Sequence, residues 1–441
     1  MNLATLILYG TINIAMIASC LISRSYRIFE FPFWAGCIAM GWFYPQAIGG
    51  YMNASLYPYH AYWEGMLFAS LCTLAMWGGF YKTANTVQVK PTWLDASFDI
   101  RKLIQVGAVL CMCGFFFQYK LLSLPEEVLA ETQWSGAAVK YLFFANIFVF
   151  GFITLWLVYL SEGKWVSLPL LAFIVPSVLL LLNSVIIHGR RAEMMNMFAY
   201  VAASLWFVRR FRIPRWVLVC GIAGGLMLVN AIGTYRSIME NNDVPLSQRL
   251  RDASEADYTA SSEKVLEESG EEFDNYIFFR QVYADHGKYD FGLVHWNGFV
   301  FNYVPAQLVG RTVKNAMMIP VDINVFDLAE KDYGHICGTG TTLTGFTDAF
   351  ASFGWFGFIK FLVIGLMMGV LYRHAMNGFF LGQLLYVYTL ATSMHAITHA
   401  THSILVSIWV YFFGLGYPAL LYAKVRHAWA APAPAGTGRM E

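Results

Sequence analysis

Charge is scarce in this chain of 441 residues. Asp, Glu, Lys and Arg make up 13% of it, against about 25% in a soluble domain. A formal net charge of +1 leaves no basic excess to hold a nucleic-acid backbone. Seven cysteines are present, but no CxxC pair and no Cys/His zinc spacing, so neither a disulfide framework nor a structural metal site is expected. The first residues carry no basic n-region and run apolar from Leu3, which reads as a first membrane span rather than a cleaved leader. What the chain has instead is 58% hydrophobic and 17% aromatic residues. The expected class is an all-α polytopic membrane protein.

Eleven apolar stretches reach or approach spanning length, near 3–22, 31–52, 62–80, 103–122, 141–160, 168–187, 192–208, 216–234, 355–372, 379–398 and 403–422. Alternate connecting loops differ in charge. One set carries Arg24 and Arg27, then Lys82, Lys90, Arg101 and Lys102, Lys164, the Arg209 to Arg215 cluster, Arg373, and Lys424 with Arg426. Positive loops stay in the cytoplasm, so the N-terminus is expected outside and the C-terminus inside. The chain then divides into a bundle of eight spans (1–235), a large external loop (236–353), three more spans (354–423) and a tail (424–441) rich in Ala, Pro and Gly.

The loop is chemically uneven. Residues 236–348 hold 18 of the 28 acidic residues and 9 of the 29 basic ones, a net of −9, which leaves +10 elsewhere. Its first part, 244–272, reads as a solvated acidic flap. From 273 to 320 it turns aromatic and apolar, as a segment that packs on the membrane surface or partly re-enters it.

Arg190 and Arg191 stand out because they fall on the external side, against the positive-inside bias. Arginine presents a planar fork of donors suited to phosphate. An anionic ligand competes here with lipid headgroups or an ion pair to Glu193. Arg236, Arg280, Arg311 and Lys314 are further cations in the acidic loop, each either a site residue or half of a structural ion pair. The run GTGTTLTG (338–345) offers amides and hydroxyls to an anion or sugar but lacks the lysine of a P-loop. Asp348 follows it at the threshold of a span, as a general base, an arginine partner or a helix N-terminal charge. In MHAITHATHS, His395, His399 and His402 have i, i+4, i+7 spacing, which predicts one helical face. Metal ligation, a catalytic role and interfacial packing compete there. His188, His295 and His335 stand alone in the sequence and read as structural.

Three patches resemble the O-antigen polymerase (Wzy-type, oligosaccharide repeat-unit polymerase) family. They are Gly189-Arg190-Arg191 opening a short span; Tyr289-Asp290-Phe291-Gly292 with the later Phe301-Asn302-Tyr303-Val304-Pro305, Arg311 and Lys314; and the glycine-rich approach to Asp348, Gly354, Gly357 and Gly365. The resemblance covers roughly residues 185–372. Where many relatives carry Glu, this chain has Asp348, and of the family's two external arginine-glycine patterns only the first is clear.

The resemblance implies a C-type glycosyltransferase of the bacterial inner membrane. Such an enzyme moves a glycan from undecaprenyl pyrophosphate onto the next lipid-linked repeat unit at the periplasmic face, without metal, cofactor or nucleotide sugar. Arg190, Arg191, Arg236, Arg280, Arg311 and Lys314 would bind pyrophosphate, with Asp348 as base and His399 as the alternative. A flippase and a chain-length regulator would be its partners. An O-antigen ligase-like transferase is the nearest rival. A transporter of an anionic lipid-linked glycan, with charges buried mid-membrane, and a non-catalytic scaffold are the others.

Overall fold

The computed structural model describes residues 1–23, 27–87, 91–125, 128, 137–162, 168–186, 191–214, 216–217, 235, 238–239, 244–256, 269–304, 306–338 and 343–425. Its first part holds α1 (Asn2–Ile22), α2 (Phe31–Ile38), α3 (Tyr44–Met52), α4 (Ala61–Ala84), α5 (Ile100–Leu122), α6 (Ala137–Ala145), α7 (Phe148–Glu162), α8 (Leu168–Ile186) and α9 (Arg191–Arg209). A π-helical turn, Ala39–Phe43, joins α2 to α3. Then come α10 (Leu246–Glu255), α11 (Glu271–His286), α12 (Leu293–Tyr303), α13 (Ala306–Val309), α14 (Arg311–Met317) and α15 (Val325–Tyr333). Last are α16 (Gly345–Phe353), α17 (Phe358–Met376), α18 (Phe380–Thr398), α19 (Ile408–Tyr411) and α20 (Tyr417–Ala423). Among the described residues there is no strand, only one isolated bridge between Phe98 and Lys424.

The fold is therefore all-helical, as composition predicts. Among the described residues, six helical stretches are long and apolar enough to cross a membrane: Asn2–Ile22, Ile100–Leu122, Ala137–Glu162, Leu168–Ile186, Gly345–Met376 and Ser403–Ala423. Of the other five expected spans, 31–52, 62–80, 192–208 and 379–398 coincide with helices that do not meet the same joint standard of length and apolarity. Most of 216–234 lies outside the described residues, as do 257–268 of the acidic flap and 426–441 of the tail. Gly345–Met376 is not one straight rod. At Gly354, with φ at +56°, the chain turns through a short 3-10 segment before α17 begins. Glycine tolerates that backbone region at no steric cost.

Helices without a hydrophobic drive between them associate through small residues that let backbones approach. The seam between α4 and α17 is built this way. Gly365 and Gly369, in the GLMMG run of α17, lie so close to Met76, Phe80 and Thr83 of α4 that an added Cβ would collide with them. Gly79 faces back, where a Cβ would meet the Leu362 carbonyl oxygen at 2.7 Å. The Thr83 hydroxyl donates to the Leu366 carbonyl across the seam, at 2.7 Å. A second seam sets Gly107 and Gly114 of α5 against Gly151 and Phe148 of α7.

Candidate functional site

Three segments meet where the spanning stretches Gly345–Met376 and Ser403–Ala423 begin. The first is α16. Thr344 caps it by accepting the Thr347 amide at 3.2 Å, the ordinary N-cap arrangement. Gly345 sits directly against the Ala396 carbonyl of α18, where no side chain would fit. This clamps the first turn, and Asp348 within it, to the end of α18. The second segment is α12. Asp290 accepts the Gly292 amide at 2.6 Å, an Asx turn that launches the helix, and His295 is its third residue. The third is the turn 399–402 between α18 and the π-helical start of the last spanning stretch.

Asp348 is the centre of this junction, with 4% of its side chain exposed. Its Oδ1 accepts from Lys360 Nζ at 3.2 Å. Its Oδ2 accepts the Thr401 amide at 3.0 Å and also the Thr401 hydroxyl. Lys360 donates to the Ser352 hydroxyl at 2.7 Å, and Ser352 donates to Asp290 Oδ1 at 2.9 Å. One ammonium thus lies between two buried carboxylates. A buried charge this well partnered holds its geometry firmly, since removing one partner strands the other. The Lys360 ammonium sits on the third residue of α17, near the end of that helix rather than at its middle.

His295 completes the arrangement. Its Nε2 lies 3.0 Å from Thr401 Oγ1 and 3.7 Å from Asp348 Oδ2. Its Nδ1 is buried and has no hydrogen-bond partner among the described residues. Burial pushes the imidazole down from its ordinary value, with the Asp348 carboxylate opposing and Lys360 and His402 reinforcing. His402 stands perpendicular to it at 5.7 Å, and both of its ring nitrogens are buried and unpartnered. The ring fits because position 298 is glycine: a Cβ there would press on it at 3.1 Å. Buried polar atoms without partners are uncommon, and three gather here. Among the described residues no group of three His, Cys, Asp or Glu is arranged to hold a metal ion.

The expected site residues fare differently. Asp348 is central, but its oxygens are taken up by Lys360 and Thr401 instead of an arginine. His395 and His399 stay adjacent at 5.1 Å, whereas His402 does not share their face. The helix stops at Thr398, His399 is extended, and Asp348 draws the Thr401 amide and hydroxyl toward itself, which turns the chain. His399 Nδ1 pairs with the neighbouring Thr398 hydroxyl, at 2.7 Å. Arg280 is buried, 1% exposed, and paired with Glu64 at 2.5 Å. Its guanidinium lies 4.8 Å from the ring centre of Phe350 and 5.4 Å from that of Trp355. This is the structural ion pair that stood against a ligand role.

Arg311 is exposed and makes no ion pair among the described residues. Lys314 donates to the Phe301 carbonyl at 2.7 Å. Arg191 opens α9. Arg190, Arg236 and residues 339–342 of the glycine-threonine run lie outside the described residues.

Sequence reasoning read His295 as structural, named Asp290 only within a patch of family resemblance, and singled out neither Lys360 nor Thr401 as a site residue. No local pattern marks them, because 53 positions separate Asp348 from Thr401 and 106 separate His295 from Thr401. Against models of protein families, curated proteins and solved structures, the chain has no match.

Proposed function

We propose that the chain is a membrane glycosyltransferase that joins oligosaccharide units carried on lipid pyrophosphate, with undecaprenyl pyrophosphate the expected carrier and His295 the general base. The hydroxyl of Thr401 carries this reading. It has one proton and directs it to Asp348 Oδ2, so toward His295 it can only accept. His295 Nε2 must then bear the ring proton, and Nδ1 keeps its lone pair. Burial keeps the ring neutral at ordinary pH. A neutral imidazole with its tautomer set and its basic nitrogen unengaged takes a proton from an acceptor hydroxyl once substrate displaces the atoms that bury Nδ1.

In the reaction this supports, the acceptor oxygen attacks the anomeric carbon of the donor while its proton passes to Nδ1. The bond from that carbon to the pyrophosphate breaks, and the electron pair leaves on the lipid pyrophosphate. Cations stabilise such a leaving group as its charge develops. Arg311 and Lys314, on the same hairpin as His295, are the described candidates, and Arg190, Arg191 and Arg236 remain candidates from the sequence. Asp348 becomes the group that orients Thr401, and Arg280 a structural residue. A ligase-like transferase would use the same geometry with a different acceptor. Asp348 is the fourth residue of Gly345–Met376, near the end of that stretch, which favours surface chemistry over transport.

The test is reconstitution of the full chain with lipid-linked repeat units and inspection of the products. The wild type is expected to build a ladder of longer glycans, and His295→Gln to lose about 10²–10⁴ in rate, the usual worth of a general base. A full ladder from His295→Gln would remove the proposed base. Translocation with no glycosidic bond formed would replace the reading with transport.

A further inference from the structure

The segment 291–320 contains no Asp or Glu in thirty residues, inside a loop that holds 18 of the chain's 28. Its two charges are Arg311 and Lys314. Its fold follows an inward and then an outward path. At the mouth of the bundle His295 bonds Thr401. Eight residues further along α12, Tyr303 packs against Tyr411 at 5.9 Å and Phe143 at 6.0 Å. Tyr411 lies eight residues into Ser403–Ala423, and Phe143 six residues into Ala137–Glu162. At 1.5 Å per helical residue these are depths of roughly 12 and 9 Å below the mouth.

The chain then returns. Lys314 reaches the Phe301 carbonyl at 2.7 Å. Trp296 Nε1 donates to the Met317 carbonyl at 2.8 Å. Asn297 donates to the Ile319 carbonyl at 2.7 Å and accepts its amide at 2.9 Å. Side chains of the two arms thereby satisfy the backbone groups of Phe301, Met317 and Ile319 across the hairpin, as an apolar medium requires.

Little of this hairpin is covered by protein. Among the described residues α14 buries none of its side chains and α12 buries only Val300. Phe291 is 70% exposed, Phe301 65% and Val313 52%. Phe291 packs at 6.4 Å on Phe353, and Phe356, in the short segment before α17, and Ile359, at the start of α17, are exposed. Exposed apolar side chains therefore lie both on the hairpin and at the start of a spanning stretch.

We infer that residues 291–304 and 306–320 form the two arms of a re-entrant hairpin inserted into one leaflet, with anionic phospholipid as its partner. The phenyl of Phe301 and the side chain of Val313 sit among acyl chains. Arg311, on a segment without Asp or Glu and with no ion pair among the described residues, takes a lipid phosphate, with Lys314 beside it. It assigns Arg311 and Lys314 to phospholipid and leaves the leaving group of the proposed reaction to Arg190, Arg191 and Arg236.

The experiment places the photocrosslinking residue benzoylphenylalanine at position 301, 313 or 336 of the full chain, in vesicles of phosphatidylethanolamine with radiolabelled phosphatidylglycerol. Ile336, 76% exposed in the loop, is the aqueous reference. Lipid adducts at 301 and 313 are expected several-fold above those at 336. Equal labelling at all three would overturn the insertion. Replacing the labelled lipid with phosphatidylcholine should lower adducts at 301, and Arg311→Gln with Lys314→Gln should abolish that preference. A preference unchanged by the double substitution overturns the phosphate contact. Loss of phosphatidylglycerol adducts on adding a trace of undecaprenyl pyrophosphate would overturn the phospholipid assignment in favour of the carrier. Adducts at 313 decide the matter independently if substitution at 301 prevents folding.

Discussion

His295 and Asp348 do not touch. Nε2 and Oδ2 stand 3.7 Å apart, and the hydroxyl of Thr401 occupies the bridging position between them, accepting from one and donating to the other. The imidazole is oriented by a carboxylate it never contacts.

Thr401→Val keeps the shape of that bridge and removes its hydroxyl. Without it, neither ring tautomer of His295 is preferred, so kcat should fall by about 10–100-fold, below the full worth of a base, with acceptor KM little changed. Thr401→Ser should restore most of the rate. Equal rates for Val and Ser in the reconstituted assay would show that the hydroxyl plays no part.

Lys360→Met leaves Asp348 buried and charged without its ammonium. The cost should be about 3–5 kcal/mol, the usual loss when one half of a buried pair is removed. The double change Lys360→Met with Asp348→Asn should recover part of this. Thermal unfolding in detergent measures both, and a fully additive pair of effects would mean that the two side chains are not coupled.

Glu64 and Arg280 make an asymmetric pair, because the guanidinium is buried and Glu64 is 26% exposed. Glu64→Gln abandons a buried charge, whereas Arg280→Met removes it. Glu64→Gln should therefore be the more destabilising, by about 1–3 kcal/mol. Should Arg280→Met instead leave stability intact and raise the KM for the lipid-linked donor, Arg280 belongs to the binding site.

Acid should weaken the fold through His295. An imidazole in the unfolded chain takes up a proton near pH 6.5, while the folded ring, pushed down by burial, resists until about 4. Between those values the unfolded state binds more protons, so stability drops as pH falls. His402 is also pushed down by burial and adds to the effect. Melting temperatures from pH 7 to 4 should fall less steeply for His295→Gln than for the wild type. Parallel curves would place the titration elsewhere.

The seam of α4 and α17 offers a stability test with an internal control. Gly365→Leu must push the helices apart and should cost more than about 3 kcal/mol. Gly78→Ala, on α4 where nothing lies within 4 Å of an added Cβ, should be neutral or slightly stabilising. Comparable melting temperatures for the two variants would refute the packing argument.

Apolar periodicity made the helices legible in the sequence, and Asp348 was legible as a carboxylate at a span threshold. The span count was harder to read, because α4 and α18 mix Tyr, Thr, Ser and Gln with their apolar residues and composition alone does not say what surrounds them. The site was legible only in part. Asp348 and His402 could be singled out by their neighbours, but His295 stands among aromatics with nothing beside it to suggest chemistry. Lys360 reads as an oddity inside an apolar run until Asp348 and Ser352 are seen folding back over it. The three histidines misled for a local reason: helical spacing persists in the sequence past Thr398, where the helix itself ends.

The Thr83 hydroxyl meets its carbonyl partner 283 positions further along the chain. At about 5–20 residues per second, a ribosome needs some tens of seconds to deliver α17 after α4 has emerged. Throughout that interval the groove of Met76, Gly79 and Thr83 faces whatever surrounds it, lipid or an insertion factor. Asp348, Lys360 and Thr401 all arrive later than this groove. Biosynthesis therefore withholds the junction until the closing stage of insertion, and a nascent chain stalled before α17 carries His295 with nothing to orient it.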